Sequence, residues 1–452
     1  MSPIPASVIR GVGACLPDHI VTNADLVAGG LDTSDDWIRT RTGIAARRRV
    51  SPGTSTGDLA VRAAQDALSG LDVRPRLLIL ATTTPDHPCP ATAPEVATRL
   101  GLGDIPAFDL AAVCSGFLYA LAAADAWIRS GAADSVLVIG AETYSTIVDP
   151  TDRNTAPIFG DGAGAAVLTR GLRDDPGAIL AVDLGSDGRG ADCVMIEAGG
   201  SRNPTPHAGS APINSPHPKA RSATEPHADP TPTNSPHPKA SSPDTPSPYL
   251  HMKGREVYGQ AVRRMTASAT RTLAHLDWPP TSIGAFIGHQ ANQRILDAVA
   301  DRLGIDPAHR HGNIHDVGNT AAASIPLVLA DVVARRAVAP GTRTLLTAFG
   351  GGLTWGSAAL TWPDPPKEPS MTTTEPAVYD HLVHLLETKF DVTEVTPEAT
   401  YTDLGLDSLA VVELFVTLSD HWSIALDDTE ADPELTVAAT AELVERARND
   451  RG

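Results

Sequence analysis

Cys114 is the residue best suited to covalent chemistry. A short apolar strand over 108–111 is predicted to run into it, and a small-residue helix over 116–130 is predicted to follow. The free N–H groups and the dipole at a helix N-terminus favour the thiolate, which is the form that attacks an acyl carbon. Most lone cysteines are small core residues, so Cys114 needs partners before it indicates an active site.

Two segments far along the chain supply candidate partners. His289 follows a predicted strand over 285–287, and Asn319 lies in a turn before a predicted helix over 321–336. Both side chains can donate hydrogen bonds to one thioester oxygen, which would stabilise the enolate formed when a malonyl thioester loses CO₂. A carboxylate at position 319 would repel that enolate. A Cys, His and Asn set alone suits a papain-like hydrolase equally well.

Two glycine-rich segments differ in what they predict. Residues 349–356, Phe-Gly-Gly-Gly-Leu-Thr-Trp-Gly, form a turn whose backbone can approach a ligand closely and donate an N–H to an acyl oxygen. Residues 160–164 have the glycine spacing of a phosphate loop. They precede a predicted strand over 165–168 rather than a helix, so we interpret them as structural.

The elements that would position these residues alternate along the chain. Strands over 77–80 and 135–139 are separated by Ala-rich helices over 58–68 and 116–130. The alternation is typical of parallel strands covered by helices. It returns after residue 249, with helices predicted over 254–275, 293–303 and 321–336 and strands over 285–287, 344–348 and 357–361. We therefore predict an α/β domain built as a duplicated unit, with halves at 1–175 and 176–362.

Residues 201–248 interrupt the second half with a low-complexity insertion. Thirteen of them are Pro, and Pro-His pairs recur every ten residues, ending at His207, His217, His227 and His237. Such a segment buries too little apolar surface to fold, so we expect weak or absent order. No other ligand type clusters with these histidines, and the four cysteines show no zinc-like spacing, so no metal site is predicted.

The charge is distributed unevenly. The 452 residues carry a formal charge of −19, of which residues 371–452 hold 18 acidic and 4 basic side chains. A Pro-rich linker at 363–376 separates the α/β domain from a second domain at 377–452, in which helices predicted over 377–390, 409–419 and 437–448 form a small all-α bundle. An acidic bundle argues against nucleic acid and for a basic protein partner. We expect a cytoplasmic protein with no membrane partner, because no signal peptide or spanning stretch is recognised.

Six segments together carry a family resemblance over residues 1–362, apart from the insertion. They resemble β-ketoacyl-ACP synthase III, a thiolase-fold enzyme that starts fatty acid and many polyketide chains, and they fall in the family's order. The matching segments are 34–44, 112–117, 159–165, 288–292, 318–326 and 350–356. The resemblance implies a thiolase-like fold with layers in the order αβαβα, and a homodimer.

The resemblance also implies roles for individual residues. Cys114 would be the acylated nucleophile, with His289 and Asn319 as the decarboxylation pair. The N–H groups of Cys114 and Gly351 would form the oxyanion hole. Three further positions match those that bind coenzyme A or the carrier protein: Trp37, Arg153 and Arg294. Cys89 stands where the housekeeping enzymes often have a larger residue, commonly Phe, that reaches into the partner subunit's acyl pocket, so a longer or branched starter would fit.

The acidic C-terminal segment resembles an acyl carrier protein. Its motif is Asp403-Leu-Gly-Leu-Asp407-Ser408-Leu409, and Ser408 is where that family receives 4′-phosphopantetheine from a phosphopantetheinyl transferase. An N-capping role is the structural alternative for Ser408.

Together these features predict a condensing enzyme fused to its own carrier, which uses an acyl-CoA starter and a malonyl-carrier extender. Such a fusion is more typical of a polyketide-type pathway than of housekeeping lipid synthesis. Two alternatives remain open: an acyltransferase that moves an acyl group without condensation, and a non-catalytic carrier scaffold. A hydroxymethylglutaryl-CoA synthase would need a Glu in the region before Cys114, and residues 81–86 contain none.

Overall fold

The computed structural model describes residues 4–204, 246–364, 378–390, 392, 395–422 and 432–449. The chain forms two compact units, Met1–Lys367 and Glu368–Gly452. Most of the insertion, with its four Pro-His pairs, and most of the linker lie outside the described residues. No described helix is long and apolar enough to cross a bilayer.

The described strands all belong to the first unit. They are β1 (Pro5–Cys15), β2 (His19–Thr22), β3 (Ala46–Arg49), β4 (Leu78–Ala81), β5 (Ala107–Leu110), β6 (Ser135–Thr143), β7 (Asp161–Leu172), β8 (Ile179–Ser186), β9 (Val194–Ile196), β10 (Leu250–Met252), β11 (Ala285–Gly288), β12 (Arg343–Gly350) and β13 (Thr354–Thr361).

Two sheets dominate this unit. The first has the order β1-β7-β6-β4-β5, with β6, β4 and β5 parallel and β1 and β7 antiparallel to their neighbours. The second has the order β11-β12-β13-β8, with only β11 and β12 parallel. Both sheets are therefore mixed, although parallel pairing predominates beside the segments that carry the site.

The described helices are shared between the units. They are α1 (Asn23–Ala28), α2 (Asp35–Thr42), α3 (Thr56–Leu68), α4 (Ala93–Arg99), α5 (Gly116–Ser130), α6 (Gly254–His275), α7 (Gln293–Leu303), α8 (Ile314–Val317), α9 (Ser324–Ala334), α10 (Val378–Lys389), α11 (Ser408–Trp422) and α12 (Val437–Asn449).

Five layers result from the way these helices cover the sheets. The apolar sides of α5 and α9 pack between the two sheets in one continuous core. Helices α3 and α4 cover the outer face of the first sheet, and α6 and α7 cover the outer face of the second. Strand β6 shows the two faces directly, because Val138 contacts the central layer whereas Leu137 and Ile139 contact the outer one. The predicted αβαβα arrangement is confirmed.

The two central helices, α5 and α9, begin in the same way. A 3-10 turn precedes α5 at Val113–Ser115 and another precedes α9 at Ala321–Ala323. Val113 and Ala321, the first residue of each turn, have positive φ angles of 49° and 45°. Such a backbone is strained for a side chain with a Cβ and persists only where the surrounding packing requires it. The helix predicted over 321–336 is thus a turn followed by α9.

The second unit is a small helical bundle. Its core is formed by apolar side chains of α10, α11 and α12 together with Tyr401, whose hydroxyl donates to Thr440 Oγ1 at 2.7 Å. The three helices predicted from the sequence correspond to these three, with small differences at their ends.

Candidate active site

Cys114 lies in the 3-10 turn between β5 and α5. Burial raises the pKa of its thiol to about 12, and the charge of Glu142 adds to that shift. The sequence predicted that the helix N-terminus would favour the thiolate. That prediction is wrong for the resting site, because removing the sulfur from water opposes its ionisation more strongly than the local N–H groups favour it.

His289 directly follows β11 and is held by two contacts. Its backbone N–H donates to Thr347 O on β12 at 2.8 Å, and its ring Nδ1 lies 2.6 Å from Ser324 Oγ. Burial lowers the pKa of the imidazole to about 3, so the ring is neutral at physiological pH.

Ser324 determines which ring nitrogen of His289 carries the proton. The Ser324 hydroxyl also accepts the backbone N–H of Gln290 at 3.4 Å. We assign the hydroxyl hydrogen to the contact with Nδ1, because of the two partners only Nδ1 can accept it. The ring hydrogen then resides on Nε2, which makes Nε2 a hydrogen-bond donor toward a ligand.

Asn319 is oriented by its own turn. Its backbone N–H donates to Ile158 O at 2.9 Å, and its carbonyl accepts from Gly160 N at 3.0 Å. Its side-chain oxygen accepts the Ala321 N–H at 2.9 Å, which leaves the amide NH₂ as the free end. The glycine motif at 160–164 therefore serves to position Asn319, and it lies in β7 for all but its first residue, so the structural interpretation of that motif holds.

One cavity of about 530 Å³ brings the three side chains together. Cys114, His289 and Asn319 line it, along with Phe349 and the Gly350–Gly351 turn. The remaining wall is largely apolar. Its other members include Tyr144, Ile158, Phe159, Val194, Met252, Val257, Tyr258, Ala261, Met265 and Ile295. The cavity thus offers a nucleophile and two neutral donors in an apolar channel.

The glycine turn lies against Cys114. A Cβ on Gly350 would come within 2.9 Å of Cys114 N, so only glycine permits this approach. The N–H groups of Cys114 and Gly351 have no hydrogen-bond acceptor in any other described residue, and both residues line the cavity. Two free N–H groups beside a thiol are the arrangement that an oxyanion hole requires.

The cavity mouth is basic and carries an indole. Trp37, Arg41 and Arg294 line it, and the Arg153 guanidinium lies 5.1 Å from the centre of the Trp37 ring. Arg153 also pairs with Asp32 at 3.3 Å. Trp37 and Arg153 therefore contact each other directly, and an adenine ring bound between them would have to separate them.

Cys89 is exposed and does not line the cavity of its own chain. Its place in a partner's acyl pocket stays a prediction.

Ser408 is the exposed first residue of α11 in the second unit. Asp407 Oδ1 accepts the Ala410 N–H at 2.9 Å and so supplies the helix cap. The Ser408 hydroxyl has no partner among the described residues, which argues against the capping alternative and leaves it accessible for modification.

Two residues near the site were missed by sequence reasoning. Glu142 is fully buried in β6 and accepts hydrogen bonds from Thr83 N at 2.9 Å and Thr84 Oγ1 at 3.0 Å. A lone acidic residue in the apolar run 135–143 was the available signal. Ser324 gave no signal of its own, because only the fold brings it to His289.

Comparisons with known proteins agree with this geometry. The family described as 3-oxoacyl-[acyl-carrier-protein (ACP)] synthase III matches residues 108–188, and its C-terminal part matches 273–362. The family described as phosphopantetheine attachment site matches residues 381–444.

Individual relatives span the first unit. β-Ketoacyl-[acyl-carrier-protein] synthase III 5 of Streptomyces coelicolor is 52% identical over 361 residues, which cover 79% of this chain and 98% of the relative. The crystal structure of 3-oxoacyl-(acyl carrier protein) synthase III from Pseudomonas aeruginosa PAO1 has 42% identity and a TM-score of 0.66, covering 80% of this chain and 99% of that one. The priming β-ketosynthase from the R1128 polyketide biosynthetic pathway has 30% identity and a TM-score of 0.66, covering 81% and 99%.

Fold and site together define a thiolase-fold condensing enzyme, a transferase, with a carrier domain fused to it. The chain belongs to the β-ketoacyl-[acyl-carrier-protein] synthase III family, which confirms the resemblance found in the sequence. The carrier domain indicates a covalently bound 4′-phosphopantetheine.

Proposed function

We propose that this enzyme catalyses a decarboxylative Claisen condensation between an acyl group held on Cys114 and a malonyl group on a carrier protein. The observation that carries the proposal is the convergence of Cys114, His289 and Asn319 on one apolar cavity, with two neutral donors and no base among the three. A papain-like hydrolase needs an imidazole that accepts a proton, and an imidazole with a pKa of about 3 does not.

The first half-reaction loads the starter. An acyl-CoA thioester enters the cavity, and the Cys114 sulfur attacks its carbonyl carbon. The N–H groups of Cys114 and Gly351 stabilise the oxyanion, and coenzyme A leaves. The apolar walls exclude water and so protect the new thioester from hydrolysis.

The second half-reaction forms the carbon–carbon bond. The malonyl thioester oxygen accepts hydrogen bonds from His289 Nε2 and Asn319 Nδ2, which stabilise the enolate as CO₂ departs. Because both donors are neutral, no cation stabilises the malonyl carboxylate. Loss of that carboxylate as CO₂ is therefore favoured. The enolate carbon then attacks the Cys114 thioester and gives a β-ketoacyl product.

The basic mouth fits the thioester carriers. Trp37 and Arg153 would hold the adenine of coenzyme A, and Arg294 would meet the acidic surface of a carrier protein. The fused second unit is itself acidic, and Ser408 is its proposed attachment point for 4′-phosphopantetheine, added by a phosphopantetheinyl transferase. The prosthetic arm supplies the thiol on which malonyl or product is carried.

A homodimer is part of the proposal. Strand β5 stands at the edge of the first sheet, and all four of its residues are only half-buried. An unprotected edge strand is suited to pairing with a second copy. In such a dimer Cys89 would face the partner's acyl pocket, where a small side chain would admit a longer or branched starter. A fused carrier and an acyl pocket that admits a longer or branched starter favour a polyketide-type pathway. We expect this pathway to operate in the cytoplasm.

Intact-protein mass spectrometry tests the proposal. The full chain is first treated with coenzyme A and a phosphopantetheinyl transferase. It is then incubated with a panel of acyl-CoAs and afterwards with malonyl-carrier protein, and CO₂ release is measured in parallel. We expect Cys114 to gain the acyl mass, Ser408 to carry the phosphopantetheine, and a β-ketoacyl product to form with one CO₂ for each turnover. The Cys114→Ala variant should gain no acyl mass. Transfer of the acyl group without CO₂ would establish an acyltransferase instead, and no acylation would favour a scaffold.

A further inference from the structure

The resting state of Cys114 raises the question of where its proton goes. Attack on an acyl carbon requires the thiol to lose a proton, yet burial disfavours the thiolate. The nearest imidazole, His289, is buried and neutral, and its Nδ1 already accepts from Ser324. Asn319 cannot accept a proton. The three residues of the condensing site therefore provide no acceptor.

Strand β6 brings a carboxyl group to the same place. Glu142 lies on the face of β6 that carries Val138 and meets the central layer. On this face Gly140 approaches so closely that a Cβ would lie 2.4 Å from Ala322 O, in the turn before α9. The Glu142 side chain is fully buried beside the two turns, and the described residues give it no cationic partner.

Three buried polar atoms in this region have no hydrogen-bond partner among the described residues: Glu142 Oε1, Thr83 Oγ1 and Tyr144 Oη. The Thr83 N–H donates to Glu142 Oε2 at 2.9 Å, so Thr83 lies beside the carboxyl. Tyr144 lines the same cavity as Cys114 and packs in one apolar cluster with it, so Tyr144 lies beside the sulfur. The Thr83 hydroxyl favours the ionised forms of both Glu142 and Tyr144 and so connects them in a row. Unpartnered polar atoms in a core are costly and rare, so such a row calls for a function.

We propose that Tyr144 and Thr83 relay the Cys114 proton to Glu142, which holds it between the two half-reactions. This inference rests on the proposed use of Cys114 as the acylated nucleophile. During acylation the sulfur bonds to the acyl carbon, and its proton passes to Tyr144 Oη. The Tyr144 hydrogen passes to Thr83, and the Thr83 hydrogen passes to the Glu142 carboxylate. The leaving thiolate of coenzyme A takes a proton from water.

Condensation reverses the relay. The bond between the acyl carbon and the sulfur breaks, and the sulfur leaves as a thiolate. Glu142 returns its proton through Thr83 and then Tyr144, so that Cys114 is again a thiol and Glu142 again a carboxylate. Over one cycle a single proton is taken from solvent, which matches the stoichiometry of a decarboxylative condensation with an acyl-CoA.

The ionisation of the groups suits these roles. Burial raises the pKa of Glu142 to about 7, so the carboxyl can both accept and return a proton near neutral pH. Burial, followed by the charges of Cys114 and Glu142, raises the pKa of Tyr144 well above its usual value, so Tyr144 passes a proton without standing as a phenolate. Tyr144 is thus a catalytic residue, and Glu142 acts through it.

The other ionisable groups near Glu142 have partners of their own and do not face its carboxyl group. Asp161 on β7 pairs with Thr143, so its side chain lies on the opposite face of the sheet and bonds Ser145 and Val50 N. Asp86 accepts from Ser55 and Gly57. The packed residues of β4 and of the turn before α9 are uncharged. The groups that face Glu142 are therefore Cys114 and Tyr144.

The test uses p-nitrophenyl acetate, a small activated ester that needs neither coenzyme A nor a carrier. Acetylation of the Cys114 peptide in the full chain is followed by quenched mass spectrometry between about pH 5.5 and pH 9. In the wild type the rate should rise with pH through a midpoint near 7, because the carboxylate form of Glu142 accepts the proton. Glu142→Gln should lose that midpoint and react about 10²-fold more slowly at about pH 8.

If Glu142 acted only through its charge, the Glu142→Gln substitution would change the acetylation rate in the opposite direction. The charge of Glu142 raises the pKa of Cys114, so its removal would make the thiol more acidic and the acetylation faster. A Glu142→Gln rate equal to or above that of the wild type, or an unchanged midpoint, therefore overturns the relay.

Further variants guard against misfolding. Tyr144→Phe and Thr83→Val interrupt the row and should show the same loss, whereas Asp161→Asn, a buried carboxyl on the other face, should keep the midpoint. If Tyr144→Phe keeps both rate and midpoint, the relay is wrong even if Glu142→Gln does not fold. Because the probe bypasses coenzyme A and malonyl groups, a normal pH profile without condensation would contradict the proposed function and not the relay.

Discussion

Replacing Ser324 by Ala should impair decarboxylation while leaving acylation intact. The Ser324 hydroxyl lies 2.6 Å from His289 Nδ1 and is buried, with only 1% of the residue exposed. Its removal leaves the buried Nδ1 without a protein partner. The account therefore predicts that the hydrogen no longer resides firmly on Nε2, where the enolate oxygen needs a donor.

The size of the effect follows from the lost contact. An unsatisfied buried nitrogen costs about 1–3 kcal/mol. If that energy is lost from the transition state, the rate of CO₂ release falls by about 5- to 150-fold, since about 1.4 kcal/mol corresponds to tenfold. Acyl loading on Cys114 uses the oxyanion hole and not His289, so its rate should change by less than about twofold.

Two assays separate the steps. CO₂ release from malonyl thioester measures decarboxylation, and mass spectrometry of the Cys114 peptide measures loading. ¹⁵N NMR of the His289 ring reports its tautomer. The matched control is Ser135→Ala, because Ser135 is also buried but bonds Arg74 O at 3.0 Å, away from the cavity. A Ser324→Ala enzyme that releases CO₂ at the wild-type rate, or one whose ring stays entirely in the Nε2–H form, would refute the reasoning.

Four further predictions follow from the same structure. Asn319→Asp should lower CO₂ release by at least about tenfold, because a carboxylate replaces a donor and repels the enolate; a retained rate would contradict the role of Asn319. Cys89→Phe should narrow the range of acyl-CoAs that load Cys114, and equal selectivity in both enzymes would exclude an acyl-pocket role. Arg47→Met should lower the free energy of unfolding by about 2–4 kcal/mol in urea denaturation, because the buried guanidinium bonds three oxygens, whereas the exposed Arg173→Met should have no measurable effect. Since the pKa of His289 lies near 3, its neutral form persists above about pH 5, so CO₂ release should show no histidine inflection between about pH 5 and pH 8; an inflection near 6.5 that disappears in His289→Ala would contradict this.

Sequence patterns predicted the central strands and helices that carried their own signal, whereas the five-layer arrangement was implied only by the family resemblance. The apolar run 135–139 and the Ala-rich helix 116–130 correspond to β6 and α5, and turn residues separate them. Mixed pairing was not predictable in this way, because an antiparallel strand that is buried on both faces, such as β7, has the same apolar pattern as a parallel one.

The residues of the site could be predicted from the sequence, but their ionisation could not. Cys114, His289 and Asn319 were identified by type and context, and the structure places all three at one cavity. The ionisation of Cys114 was predicted in the wrong direction, because its pKa depends on burial and on Glu142, which lies 28 positions away in the chain. Neither quantity can be obtained from the residues beside the cysteine.

The central claim is that acyl transfer to Cys114 and loss of CO₂ belong to one reaction. Its most direct test is the mass of the carrier-bound product after acyl-loaded enzyme is mixed with malonyl-carrier protein. The account predicts a β-ketoacyl thioester, heavier than the starter by a two-carbon acetyl unit, with CO₂ in equal amount. A carrier that still bears malonyl, with no CO₂ released after the starter has loaded Cys114, would contradict it.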